Sequence, residues 1–290
     1  MRTLITIGAC YLDTILTVPH YPGEDEKLRA TTLSRRRGGN TLNTLEVLQQ
    51  LLLTPYHQHL TPKHSRPSPI NIYPIAVLPA RWSPATQEIE ASLQPQPQSS
   101  LVKPNVAVSV DLKLCGRIPD VTLQCIRYLR HDHPKDKISV EIEKPGREGL
   151  QELAAAADVV FYSKSWAVGN GYESAMECLE AQSPLTPKAT LLCCTWGEKG
   201  AALMDKQQGT SANSPAYKLG QAQVVDTIGA GDTFIAAILY ALIYRGKPAG
   251  GFDVDSLVGF ANQIAGRKVE REGFEGLGRA VWGDMDFLPV

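Results

Sequence analysis

Residues 224–234 read VVDTIGAGDTF: a short β-branched run, two glycines flanking Ala230, an aspartate, and then the apolar stretch from Phe234 to Tyr244. The run 222–226 is read as a strand and the stretch from Phe234 as a helix, with small residues between them. Strands that hand over to helices in this way build open, mostly parallel sheets, and such sheets bind ligands beyond the carboxyl ends of their strands. Gly229, Ala230 and Gly231 fall at that place, leading into a helix N-terminus whose amide groups are unpaired and whose dipole favours anions. Small residues admit phosphate oxygens to the backbone, and glycine allows positive φ. Asp232 then has two readings. It caps the helix, a contribution of about 1 kcal/mol, or it is a general base that takes a proton from an alcohol while the amides hold a migrating phosphoryl group. Other nucleotide motifs do not fit: the stretch lacks the third glycine of the dinucleotide fingerprint, and the chain has no G-x-x-x-x-G-K-[ST].

Outward from this stretch, the alternation of apolar runs continues. LITIG (4–8) and ILTV (15–18) read as strands, with Asp13 in a turn-like stretch between them. RRRGGN leads into TLNTLEVLQQLLL (41–53), where Leu42, Leu45, Leu48 and Leu52 recur at helical spacing. ISVEIEK (138–144), DVVFYS (158–163) and ATLLCCTW (189–196) read as strands, the last two apolar on both faces. REGLQELAAAA (147–157), YESAMECLEA (172–181) and Leu257 to Val269 read as helices, and AALMD (201–205) and AQVVD (222–226) as shorter strands around a polar turn. Strands alternating with helices predict an α/β fold with a mostly parallel central sheet covered on both sides.

Residues 54–105 break this pattern. They hold ten of the twenty prolines and three of the six histidines, and no glycine occurs between Gly39 and Gly116, so the stretch argues against regular elements throughout. INIYPIAVL (70–78) has the composition of a strand, and QPQPQSS (94–100) that of a loop. The 290 residues otherwise allow one large α/β domain, or one domain plus a small appendage, with this segment as an atypical insert.

Net charge of −1 gives no basic surface for nucleic acid or anionic membrane. The longest apolar stretch is shorter than the ~20 residues of a membrane span. MRTLITIG reads directly as a first strand rather than a cleavable leader. Six cysteines form no CxxC pair, and the adjacent Cys193 and Cys194 sit in an apolar run, as reduced buried thiols of a cytoplasmic protein do.

Two further constellations carry chemistry. In GGNTLN (38–43), Asn40 and Asn43 are three apart at a helix start, so their amides project to one side, with donors and acceptors suited to a polyhydroxylated ligand. Asp13 could add a carboxylate; the alternative is a cap, a surface asparagine and a turn aspartate. TWGEKG (195–200) follows a strand and either lines a base pocket or simply turns the chain. Glu141 and Glu143 alternate with Ile138, Val140 and Ile142, the pattern of a solvated strand face, with a functional role as the other reading. HxH at 57–59 and HDH at 131–133 lack partners at metal-ligand spacing.

GGN followed by GAGD, with VEIEKP, DVVFYSK and FANQIAGRKVEREGFEGL, resembles the PfkB/ribokinase family of carbohydrate kinases, and within it the branch acting on ketohexoses. The resemblance covers residues 1–53 and 109–290. It implies a ribokinase-like three-layer sandwich of about eight strands with a small β lid. It implies transfer of the ATP γ-phosphate to a hydroxyl of a ketohexose such as fructose, or of another small sugar, with Mg2+ and potassium assisting. On matching positions, Asp232 would be the catalytic base and Gly229, Ala230 and Gly231 the anion hole. Asp13, Gly39, Asn40 and Asn43 would hold the sugar. Thr195, Trp196, Gly197, Gly200 and Asn262 would lie along the adenine, and Arg117, in CGR (115–117), would face the cleft. Family members often pair through their lids, so a homodimer is one option, left open because the lid is the part in which this chain departs from the pattern. The chain departs from the pattern in two places. The stretch between the GGN helix and ISVEIEKP is short, leaving the lid incomplete, and S-K-S-W (163–166) stands where the family has N-x-x-E. A non-catalytic sugar- or nucleotide-binding relative is the competing reading.

Overall fold

The computed structural model describes residues 2–20, 22–53, 70–76, 78, 80, 82–92, 110–115, 118–217, 223–244 and 253–283. The first strand, β1 (Arg2–Ile7), is followed by an antiparallel ribbon of β2 (Tyr11–Thr17) and β3 (Thr32–Gly38), then helix α1 (Asn40–Leu53). Beyond these come β4 (Ile70–Ile75), α2 (Pro84–Ser92), β5 (Val110–Cys115), α3 (Pro119–Asp132) and β6 (Lys137–Ile142). The chain continues through α4 (Leu150–Ala156), β7 (Val159–Tyr162), α5 (Lys164–Gly169), α6 (Ala175–Gln182) and β8 (Leu191–Thr195). It closes with β9 (Ala201–Asp205), β10 (Thr210–Ser214), α7 (Ala230–Tyr244), α8 (Val254–Val269) and α9 (Leu277–Gly283).

Eight strands form one sheet in the order β10-β9-β8-β7-β6-β5-β1-β4, parallel from β4 to β8 and antiparallel at β9 and β10. The expected α/β sandwich is present. Its strands are buried on both faces because their side chains alternate between two cores. Val159 and Phe161 of β7 join the core of α1, α7 and α8, whereas Val160 and Tyr162 join the core of α3 to α6. Cys193 and Cys194 divide in the same way, so these neighbours face opposite layers as separate buried thiols.

Helix α1 buries Leu42, Leu45, Val47, Leu48 and Leu51, so its apolar face turns to Leu51 rather than running straight on to Leu52. Helix α7 is apolar all round and buried from Thr233 to Ile243 apart from half-buried Leu242, which suits its place between α1 and α8.

Four sequence-based expectations change. Asp13 lies within β2, paired in register with Arg36 of β3, not in a turn. Residues 223–227 form no strand: Val224 and Val225 are 63% and 60% exposed, and the amides of Val225 and Asp226 donate to the Val269 carbonyl at the end of α8. The partner of β9 is instead β10, whose sequence TSANS is too polar to read as a strand but needs only one buried residue, Ala212, at the sheet edge. Helix α7 begins at Ala230, which places Asp232 in its first turn. Finally, besides the strand that INIYPIAVL suggested, present as Ile70–Ile75, the proline-rich stretch holds an unexpected helix, Pro84–Ser92; Pro84 opens α2, where a missing amide hydrogen does no harm, and Ile89 anchors it. QPQPQSS, the HxH of 57–59 and Arg117 lie outside the described residues. Among the described residues the β2–β3 ribbon forms a second, two-stranded sheet apart from the main one.

Candidate active site

The GGN turn brings the ribbon and α1 together at close quarters. A Cβ on Gly38 would stand 1.8 Å from Asp13 Oδ2, and one on Gly39, at φ +100°, would stand 2.2 Å from the Ala9 carbonyl oxygen. Only glycines allow the Asp13 carboxylate to rest against this turn. Asn40 opens α1 and Asn43 follows on the same side, 7% and 5% exposed. Asn40 Nδ2 donates to Glu141 Oε2 at 2.8 Å, and Asn43 Nδ2 donates to Asp232 Oδ2 at 2.8 Å. The two amides therefore do project together, and each orients a carboxylate. Asn43 Oδ1 is buried with no hydrogen-bond partner among the described residues.

Opposite α1, the turn before α7 is fixed from below. Gly229 has φ +79°, and a Cβ there would meet Phe274 Cζ at 2.3 Å. Gly231, second residue of α7, has open space on its Cβ side, with nothing within 4 Å. Its amide lies in the first turn of the helix, where no intrahelical acceptor exists. Asp226 organises the approach to this turn: its carboxylate accepts from Ile228 N (2.9 Å), Gly273 N (3.1 Å), Lys268 Nζ (2.9 Å) and Arg36 Nη1 (2.7 Å). Burial alone would raise the Asp226 pKa, but these hydrogen bonds outweigh it and hold the carboxyl well below the usual range. Lys268 is fully buried, and burial lowers its pKa against the opposing pull of Asp226.

Between these walls lies a cavity of about 380 Å³. Asp13, Gly39, Asn40, Asn43, Gly229, Gly231 and Asp232 all line it, together with Thr195 at the end of β8. The cavity thus opens at the carboxyl ends of β6, β7 and β8, where an open α/β sheet is expected to bind ligands. Four carboxylates (Asp13, Glu141, Glu143 and Asp232) line it, and no lysine or arginine does so among the described residues. Such a surface suits a neutral ligand rich in hydroxyls, with the amides of a helix N-terminus as the place for an anion.

Ala230 begins α7 between the two lining glycines. Trp196, Gly197, Gly200 and Asn262 lie outside this cavity lining and meet at another point. Trp196 is buried and its amide donates to the Gly200 carbonyl; a Cβ on Gly200 would stand 2.0 Å from Ser214 O. Asn262 Nδ2 donates to the same Ser214 O at 2.8 Å and to Pro215 O at 3.1 Å.

Sequence reasoning misjudged Glu141 and Glu143. Glu141 is 8% exposed, because the face of β6 opposite Ile138, Val140 and Ile142 looks into the cavity rather than into solvent. Alternation alone cannot distinguish the two, but the interior position of β6 between β5 and β7 decides it. Tyr11, Phe161, Ser163 and Cys193 also line the site and carry no sequence signal. Burial pushes the Cys193 thiol well above its usual pKa. Among the described residues no group of three or more His, Cys, Asp or Glu is placed to hold a metal, and no helix is long and apolar enough to cross a membrane.

The sequence profile of the pfkB family carbohydrate kinase matches residues 82–276. The chain is 29% identical to ketohexokinase of Mus musculus over 309 aligned positions, covering 95% of this chain and 99% of that protein. Among solved structures, ribokinase from Giardia lamblia matches with a TM-score of 0.62 at 18% identity over 98% of both chains. Arabidopsis thaliana ribokinase, solved with ribose and ATP, matches with a TM-score of 0.60 at 16% identity over 99% of this chain and 100% of that one. At these identities the structural likeness speaks to the fold.

Proposed function

Because the chain belongs to the pfkB family and is an ATP-dependent carbohydrate kinase, we propose that its acceptor is a ketohexose such as fructose and that Asp232 is its catalytic base. The observation that carries this reading is the pairing of Asn43 with Asp232 across the cavity. It holds a carboxylate beside the first-turn amides of α7 and on the same cavity as Asp13. The similarity to mouse ketohexokinase supports the choice of sugar.

In the proposed reaction the acceptor hydroxyl gives its proton to Asp232, its oxygen forms a bond to the γ-phosphorus, and the bond from that phosphorus to the bridging oxygen of ADP breaks. Phosphoryl transfer depends on position and charge more than on covalent help from the protein. Asp13 and the α1 asparagines orient the sugar. The amides at Gly229 and Gly231, both on the cavity wall, face charge that builds on the moving group, while the Ala230 amide is already given to the Thr227 carbonyl. Thr195 to Gly200 and Asn262 lie along the nucleotide, at the end of β8 and near β10.

Mg2+ bound with the nucleotide neutralises phosphate charge. Such an ion needs only one or two protein carboxylates, and Glu143, on the cavity wall, fits that demand without a preformed cage.

The test is a turnover assay with ATP and a panel of fructose, ribose, other small sugars and nucleosides. Fructose is expected to give the highest kcat/KM. Asp232→Asn is expected to lower kcat by roughly 10²–10⁴ while ATP binding persists. Near wild-type turnover by that variant would show that another group takes the proton.

A further inference from the structure

The three consecutive arginines before the GGN turn tie the ribbon to three different parts of the fold. Arg35 lies 3.7 Å from Glu88 of α2, with both side chains about half exposed, so this pair is screened by water. Arg37 pairs with Glu46 of α1. Arg36 points to the ribbon's other face, directly opposite Asp13 in the β2–β3 register. Its Nη1 donates to Asp226 Oδ2 at 2.7 Å, with the two side chains 19% and 11% exposed. Its Nη2 is buried without a hydrogen-bond partner among the described residues, so that carboxylate is its anchor.

Asp226 in turn reaches the phosphate-facing turn by two routes. Oδ1 accepts from Ile228 N, the amide just before Gly229. Oδ2 binds Lys268 Nζ, which lies 5.3 Å from the ring centroid of Phe274, and that ring fills the space a Gly229 side chain would need. Arg36 therefore links the strand pair that bears Asp13 to the turn that bears Gly229 and Gly231, across 190 residues of sequence.

We infer that Arg36 is a positioning residue for phosphoryl transfer, acting through Asp226 to hold the anion-facing turn in register with the Asp13-bearing ribbon. This inference rests on the kinase reading given above. Its physical content is that the acceptor and the phosphoryl group are held by separate segments, whose relative placement sets the rate. Displacements of about 1 Å made by a change away from the reacting atoms can lower a rate by as much as 10²-fold.

The experiment compares Arg36→Met, Arg36→Lys and Arg35→Met, each also in an Asp226→Asn background. Readouts are kcat, KM for sugar and ATP, thermal unfolding, and hydrogen exchange of the amides of residues 226–231. Arg36→Met is expected to lower kcat roughly 10–100-fold, with much smaller changes in either KM. It is also expected to speed exchange at 228–231 by roughly tenfold as the turn opens locally. Arg36→Lys should recover part of both effects, and Arg35→Met should resemble wild type. In the Asp226→Asn background, Arg36→Met should add nothing. Wild-type kcat and exchange in Arg36→Met, or effects that simply add to those of Asp226→Asn, would overturn the inference. If Arg36→Met does not fold, the same comparison is made with Arg36→Gln, which removes the charge paired with Asp226, and wild-type kcat and wild-type exchange there would equally overturn it. Should the wild-type chain phosphorylate none of the sugars, the kinase reading fails, while the exchange measurement still decides the role of Arg36.

Discussion

At Gly231 a methyl group would meet nothing within 4 Å, whereas at Gly229 it would meet Phe274 Cζ at 2.3 Å. Two glycines one residue apart therefore make opposite demands. Gly231→Ala adds a residue of better helix propensity to the first turn of α7 and is expected to leave stability unchanged or raise it by up to about 1 kcal/mol. The same methyl narrows the approach to the amides, and KM for ATP is expected to rise roughly tenfold, a loss of the size seen when one or two binding contacts are spoiled. Gly229→Ala combines the left-handed backbone with the clash, and is expected to destabilise the fold by about 1–3 kcal/mol in denaturant titrations. Asp226 adds a pH dependence. Its folded-state pKa lies below the unfolded value, so between the two the unfolded chain binds more protons, and stability rises with pH. The contribution is complete above the unfolded carboxyl range near ~4 and is lost as pH falls further. Thermal unfolding between pH 6 and pH 3 should show a steeper loss in wild type than in Asp226→Asn; equal slopes would assign acid sensitivity to other carboxylates.

Helix α1 shows how packing serves the site. Leu48 is fully buried one turn after Asn43 and Thr44, in the core shared with α7. Leu48→Ala is expected to cost about 2–5 kcal/mol in unfolding free energy. It should leave kcat at low temperature largely intact, because Asn43 is also held by its bond to Asp232. Calorimetric melting alongside initial rates would separate the two effects. This helix was legible in advance because its leucines repeat at helical spacing after a glycine pair. The strands β6, β7 and β8 were legible for a similar reason: they are continuous or alternating apolar runs buried on both faces. The run 222–226 misled because β-branched composition reports a tendency to extend, and Val224 and Val225 satisfy it as an exposed tether bound to the end of α8. Conversely, TSANS forms an edge strand that pattern alone would not select, since pairing with β9 supplies what its own side chains lack. Within the site, the small-residue motifs were legible because backbone approach demands glycine. Glu141 was not, because a strand face looking into a cavity and one looking into solvent carry the same alternation.

For the molecule as a whole, the strand order records a division of labour along the chain. The sheet from β5 to β10 follows sequence order, and β1 enters between β4 and β5. The two halves of the site arise from distant parts of this plan: Asp13, Asn40 and Asn43 come early, while Gly229 to Asp232 come late, and the Asn43–Asp232 bond spans 189 residues. During synthesis on a ribosome, that separation corresponds to a delay of about 10–40 s at ordinary elongation rates. Throughout that interval the growing chain carries Asp13, Asn40 and Asn43 without the proposed base and without the turn proposed to receive phosphate. On those proposed roles a nascent fragment lacks the means to transfer phosphate, and the site is completed only once α8, which follows α7 in the chain and packs against it, has also been made.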